Sequence, residues 1–279
     1  MKVFYRPEQT AWNADSFSPS AGKPAQVVAS WQALTPKVEV VGFEPFTRED
    51  LALAHDRRHV DAVLDLQRSN GFGNRSAAVA ASLPYTAGSF YAAARHAWLT
   101  KESAASPTSG FHHASYDDGG SFCTFNGLMI AARKLREEGA KNVGILDLDC
   151  HYGNGTDNII RRLGLENAIV HYTFGAERIN RRNAEQWLNE LPAILARFAQ
   201  CDVVLYQAGA DPHVDDPLGG VLTTEQLYQR DFVVQDAERS ERAGGLEPGR
   251  RLSDAHPEGA GHSRQHGAGL PCSDFDVTQ

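Results

Sequence analysis

The sequence predicts a single α/β domain in which a mostly parallel sheet is flanked by helices. Short apolar, β-branched runs alternate along the chain with segments of helical spacing. The runs are apolar on both faces, which is typical of parallel strands that helices cover on both sides. Because the chain shows no internal repeat and no interior linker, we place one domain at residues 1–237.

The individual elements follow from local periodicity. Strands are predicted at residues 38–41, 143–148, 168–172 and 203–206. Helices are predicted at residues 87–99, 127–138, 184–198 and 223–234, because apolar residues recur there three or four apart. In such folds ligands bind beyond the carboxyl ends of strands, so the loops after the central strands are where a site is expected.

Composition excludes several classes of protein. The 27 Lys and Arg residues are outnumbered by 35 Asp and Glu residues, and the net charge of −8 offers no basic surface for direct nucleic-acid binding. The first seven residues are followed by polar residues instead of an apolar stretch, and no apolar run has the length of a membrane helix, so we expect a cytoplasmic protein with no membrane partner. Four distant cysteines without a C-x-x-C pair argue against a disulfide framework and a thiolate zinc site.

Two acidic motifs follow predicted strands. Asp149 and His151 come directly after the strand at 143–148, two residues apart and therefore on one face, where they suit a zinc-like ion. Asp211 follows the strand at 203–206 and could complete a three-ligand site with an open fourth position. The alternatives are a helix-capping Asp149 with a hydrogen-bonded His151, and a turn role for Asp211 before Pro212.

A third motif consists of adjacent histidines, His112 and His113, in a glycine-flanked loop. Two neighbouring imidazoles can face one pocket, where one accepts a proton from water and the other stays cationic. Histidines in a loop are otherwise often surface residues, and this alternative stays open.

The three motifs, in this order, resemble the histone deacetylase and acetylpolyamine amidohydrolase superfamily in its bacterial branch. The similarity runs over residues 4–237 and is most specific at residues 110–126, 143–156 and 205–220. The resemblance implies an arginase-like α/β fold with one mostly parallel sheet.

The resemblance also implies a role for each site residue. Zn²⁺ would be bound by Asp149, His151 and Asp211, and a structural potassium ion (K⁺) by backbone carbonyls around Asp147, Asp149 and His151. The general acid and base would be His112 and His113, supported by Asp147 and Asn154 respectively. Phe122 would form one wall of the substrate channel.

The implied function is zinc-dependent hydrolysis that removes an acetyl group from an acetylated amine, such as an acetyl-lysine peptide or an acetylpolyamine. The zinc ion would activate water, and the two histidines would act as general acid and base. An arginase-type two-metal enzyme is disfavoured, because it would need a carboxylate where Gly153 stands.

The chain departs from the family after Asp211. The family places a tyrosine there after a glycine run, whereas Tyr228, in a predicted helix, is the only tyrosine of this sequence beyond Asp211. In the family the hydroxyl of this tyrosine stabilises the oxyanion of the tetrahedral intermediate. Losing such a donor lowers kcat by about 10²–10³-fold. A catalytically impaired zinc-binding relative is therefore the alternative function.

The composition changes after Ala237, and residues 238–279 are predicted to be an irregular, disordered tail. We interpret this tail as frameshifted. One codon choice for residues 242–253, read one base later, encodes valine, proline, valine, alanine, tryptophan, asparagine, leucine, alanine, glycine, glycine and tyrosine. That frame would supply both a buried strand and the missing tyrosine.

Overall fold

The computed structural model describes residues 1–12, 16, 18–34 and 37–242. Its strands are β1 (Lys2–Phe4), β2 (Glu39–Val41), β3 (Ala104–Ala105), β4 (Val143–Asp147), β5 (Ile169–Thr173) and β6 (Val203–Gln207). They form two three-stranded sheets, with the orders β2-β1-β3 and β5-β4-β6. Every strand pairing is parallel, which confirms the predicted α/β class. The expectation of one sheet is wrong for the described residues, because β1, β2 and β3 pair only with one another and β4, β5 and β6 do the same.

Helices separate the strands along the chain. The α-helices are α1 (Lys23–Leu34), α2 (Arg48–Leu51), α3 (Arg57–Leu64), α4 (Ala77–Thr100), α5 (Gly127–Glu137), α6 (Asn154–Leu163), α7 (Ala184–Leu195) and α8 (Thr224–Arg242). Within the described residues, no helix is both long and apolar enough to cross a membrane.

Strand β4 is buried from both sides by helices. Val143 and Ile145 belong to the same core as residues of α4 and α5, whereas Leu146 and Leu148 pack with residues of α7 and α8. This alternation follows from the two-residue period of a strand. It explains why the run is apolar at nearly every position, and it leaves Asp147 as a buried carboxylate at the end of the strand.

Helix α4 is longer than the predicted helix at 87–99. Its first turn is capped by Ser76, whose hydroxyl accepts a hydrogen bond from the Val79 amide. Pro84 lies inside the helix and leaves the turn with one amide donor fewer, and its own carbonyl accepts from the Phe46 amide. The proline obscures the first half of the helix in the sequence, although packing stabilises it.

Helix α8 continues to Arg242, beyond the predicted domain boundary at residue 237. The prediction of an irregular segment from residue 238 is therefore wrong for residues 238–242. The rest of the predicted tail, including all but the first of the codons proposed to be out of frame, lies outside the described residues.

Candidate functional site

The predicted metal ligands meet at the carboxyl ends of β4 and β6. The two strands pair directly, with Asp147 opposite Gln207, so the loops that follow them leave the sheet side by side. Candidate ligand atoms of Asp149, His151 and Asp211 all lie within 4.8 Å of one another. The Nδ1 atom of His151 is 2.7 Å from Asp211 Oδ2 and 3.3 Å from Asp149 Oδ1.

Backbone contacts orient the two carboxylates. The amide of Cys150 donates to Asp211 Oδ1 at 2.9 Å, and the amide of His151 donates to Asp149 Oδ1 at 2.9 Å. A Cβ atom at Gly209 would lie 2.5 Å from Asp149 Cα and 2.8 Å from Asp211 Oδ1. The two ligand loops therefore approach so closely that the position requires glycine.

The three side chains of this cluster shift one another's pKa values. Hydrogen bonds to Asp149 and Asp211 raise the pKa of His151 to about 10. Burial and the charge of Asp149 raise the pKa of Asp211 to about 6. Burial opposes the charge of Asp149, but His112 and His151 hold its pKa below the usual range.

Two converging carboxylates and one imidazole are a donor set that suits zinc. The raised pKa of His151 indicates that the two carboxylates favour a positive charge between them. The donor set thus fits the implied metal.

The two histidines lie beside this cluster, with ring centroids 4.1 Å apart. The Nδ1 atom of buried His112 is 2.7 Å from Asp147 Oδ2, and the Nδ1 atom of His113 is 2.6 Å from Asn154 Oδ1. His112 Nε2 is 3.5 Å from Asp149 Oδ1. The structure therefore brings the predicted histidines, their two predicted partners and the acidic cluster into one site.

The charges around the histidines push their pKa values apart. Burial opposes protonation of His112, but Asp147 and Asp149 outweigh it and raise its pKa to about 9. Burial and the charge of His112 lower the pKa of His113, which faces a neutral amide at Nδ1. The metal-free site thus favours a cationic His112 beside a neutral His113, the arrangement that lets one imidazole accept a proton while its neighbour stays charged.

Phe122 stands on a strained loop. Both Ser121 and Phe122 have positive φ angles, 48° and 69°, in the left-handed region that non-glycine residues rarely occupy. The Phe122 amide donates to Gly71 O at 2.9 Å, and its ring lies 5.9 Å from that of Phe72. The loop around Gly71 therefore supports the aromatic residue predicted to line the channel, and Phe72 extends that aromatic surface.

His55 is a site-supporting residue that the sequence analysis missed. Its Nδ1 atom is 2.9 Å from Ser115 O, and its Nε2 atom accepts from the Asn126 amide at 2.8 Å. Burial and nearby His59 lower the pKa of His55 to about 3, which keeps the ring neutral. His55 thus ties together two ends of the loop that follows His113. No motif surrounds it in the sequence, so no local signal could have found it.

Comparison with known proteins places this site in a family. The histone deacetylase domain family matches residues 20–179. An acetylpolyamine amidohydrolase from Mycoplana ramosa is 45% identical over 53 residues, which are 19% of this chain and 16% of that protein. Histone deacetylase 14, chloroplastic, from Arabidopsis thaliana is 28% identical over 260 residues, covering 75% of this chain and 62% of the relative. The chain spans less than half the length of several curated relatives that it matches.

Solved structures share the fold. The HDA15 HD domain superposes with a TM-score of 0.67 at 20% identity and covers 86% of this chain and 81% of that one. An acetylpolyamine aminohydrolase from Burkholderia pseudomallei superposes with a TM-score of 0.63 at 17% identity, covering 85% and 90% of the respective chains. The deacetylase-like fold expected from the motifs is thereby confirmed. The family match covers more than half of the sequence, and the chain belongs to the histone deacetylase family.

Proposed function

We propose that this protein is a zinc-dependent amidohydrolase that removes the acetyl group from an acetylated amine. The observation that carries the proposal is that a cluster of candidate metal ligands and a pair of histidines lie together at one edge of the sheet. Three convergent ligands, Asp149, His151 and Asp211, lie beside two histidines with different partners. Neither arrangement alone would specify hydrolysis, but together they provide a metal position and a proton acceptor next to it.

In the proposed reaction the zinc ion, when bound, polarises the amide carbonyl and makes the attacking water more acidic. The neutral His113 accepts the proton of that water at Nε2, because its Nδ1 atom is engaged with Asn154. His112, held by Asp147, keeps a positive charge next to His113 and stabilises the negative charge that develops on the substrate. The departing amine then takes a proton from the histidine pair.

The names of the relatives and the net charge support the proposed substrate class. The similar proteins are named acetylpolyamine amidohydrolases and histone deacetylases. A net charge of −8 favours the approach of cationic substrates, such as acetylpolyamines or lysine-rich acetylated peptides. The aromatic rings of Phe72 and Phe122 would contact the aliphatic part of such a chain.

The second candidate is a zinc-binding relative with impaired catalysis. One specific observation favours it: beyond Asp211 the sequence offers only Tyr228 as a tyrosine, and this residue lies on α8, 46% exposed and stacked on Phe232. This reading predicts bound zinc with little or no turnover.

The test is acetate release from an acetyl-lysine peptide and from an N-acetylpolyamine by the full chain supplied with Zn²⁺. Asp149→Ala serves as the blank. Turnover above the blank supports the amidohydrolase, and bound zinc without turnover supports the impaired relative. If the chain neither binds zinc nor turns over either substrate, both functions are wrong.

A further inference from the structure

A buried arginine lies beneath the two loops that carry the acidic metal ligands. Arg230 belongs to α8, and its side chain is only 2% exposed. Its Nη1 atom donates to Gly209 O at 2.6 Å and to Leu148 O at 3.3 Å. The Nη1 atom of Arg230 therefore hydrogen-bonds both to the segment that follows β4 and to the segment that follows β6.

The arginine is itself held in place by a buried carboxylate. Arg230 Nε donates to Asp231 Oδ1 at 2.8 Å, and the Tyr206 hydroxyl donates to the same oxygen at 2.5 Å. Because the guanidinium is planar, fixing its Nε atom also limits where Nη1 can lie. The charge of Asp231 offsets that of Arg230, so the pair can stay buried between helix and sheet.

The two carbonyl groups that accept hydrogen bonds from Arg230, those of Leu148 and Gly209, lie just beyond the last paired residues of β4 and β6. The last bond of the β4–β6 ladder runs from the Leu148 amide to Gln207 O at 2.9 Å. Leu148 immediately precedes Asp149, and Gly209 lies two residues before Asp211. The two loops also approach each other closely at Gly209, since a Cβ atom there would lie 2.5 Å from Asp149 Cα.

We infer that Arg230 is a positioning residue that sets the separation between Asp149 and Asp211. It does so by hydrogen bonding to the carbonyl oxygens of Leu148 and Gly209. It acts through the backbone and touches no ligand atom of the centre. The inference rests on the proposed metal centre, because the separation matters only if both carboxylates bind one ion. Arg230 is thus expected to control metal affinity more than it controls the fold.

The test compares Co²⁺ affinity and the Co²⁺ absorption spectrum in full-length variants. Arg230→Met combined with Asp231→Asn removes the hydrogen bonds to the two carbonyl oxygens without leaving a buried charge unpaired. Residues that orient metal ligands typically change metal affinity by about 10–100-fold, so we expect a loss of at least about tenfold and an altered spectrum. Leu227→Ala, three residues away on α8 and also buried, is the matched control for lost packing. Its affinity should stay within about twofold of the unaltered chain.

The outcomes separate the inference from the proposed function. A folded double variant with unaltered affinity and spectrum overturns the role of Arg230. If the unaltered chain binds no Co²⁺, the metal centre itself is wrong and the inference falls with it. Should the double variant fail to fold, Arg230→Lys replaces it, because lysine keeps the charge but lacks the planar fork. Unaltered affinity in that variant also overturns the inference, and weaker binding supports it.

Discussion

Replacing Asp147 by asparagine removes the charge beneath His112 while preserving the size of the side chain. Both oxygens of Asp147 accept hydrogen bonds: Oδ2 lies 2.7 Å from His112 Nδ1, and Oδ1 accepts from the Asp149 amide at 3.2 Å. Asparagine offers a single acceptor oxygen, so one of these donors will face an NH₂ group. The substitution therefore disturbs both the histidine and the start of the ligand loop.

The size of the effect follows from the pKa of His112. Its value of about 9 lies above its ordinary value of 6.5, and about 1.4 kcal/mol accompanies each unit of such a shift. Since the folded state has the raised pKa, the stabilisation is fully present below pH 6.5 and is lost as the pH rises through 9. In Asp147→Asn we expect the pKa of His112 to fall toward 6.5, with a loss of at most about 3 kcal/mol of unfolding free energy near pH 6, because Asp149 still favours the charged ring.

The assay is the NMR titration of His112 together with denaturant unfolding at pH 6 and pH 9, both on metal-free chain. Asp157→Asn is the matched control, because Asp157 forms another 2.7 Å pair, with His171. It should leave the pKa of His112 unchanged. In the zinc-loaded chain, acetate release by Asp147→Asn should fall about 10²–10⁴-fold. A His112 pKa that stays near 9 in Asp147→Asn would show that Asp147 does not control the charge of His112.

Three further predictions concern His113, His55 and the tail. His113→Ala should retain zinc but lose turnover by about 10²–10⁴-fold, and unchanged acetate release would remove His113 from the mechanism. The pKa of His55 is about 3 when folded and 6.5 ordinarily, so its stabilisation is complete above pH 6.5 and falls by about 1.4 kcal/mol per unit as the pH drops toward 3. In His55→Gln the free energy of unfolding, measured with urea, should fall less steeply as the pH drops below 6.5. An equally steep fall would contradict the prediction. The nucleotide sequence for residues 237–253 should permit the overlapping reading frame, and incompatible codons would exclude it.

The site motifs were predictable because their geometry is local. Asp149 and His151 follow a strand whose apolar run is visible in the sequence, and their spacing alone puts them on one face. Asp211 required only the assumption that parallel strands end at one edge, which the pairing of β4 with β6 bears out. The resemblance supplied the individual roles, which neither periodicity nor composition could assign.

Other features depend on distant contacts. Arg230 stands among polar residues of α8, where a solvated helix face is the ordinary expectation, and its buried position follows only from the packing of that helix. Strands β1 and β3 are three and two residues long, too short for a two-residue period to be seen. The first half of α4 was missed because Pro84 outweighs local helix propensity in the sequence but not in the packed chain.

The zinc content of the purified full chain is the most direct test of the metal site proposed at Asp149, His151 and Asp211. Elemental analysis after dialysis should find about one zinc ion per chain in the unaltered protein. Asp215→Ala should match it, because the Asp215 side chain is 87% exposed and lies outside the candidate ligand set. Asp149→Ala and His151→Ala should each lose the ion. Retention of about one zinc ion per chain in both ligand variants would show that zinc does not bind at this site.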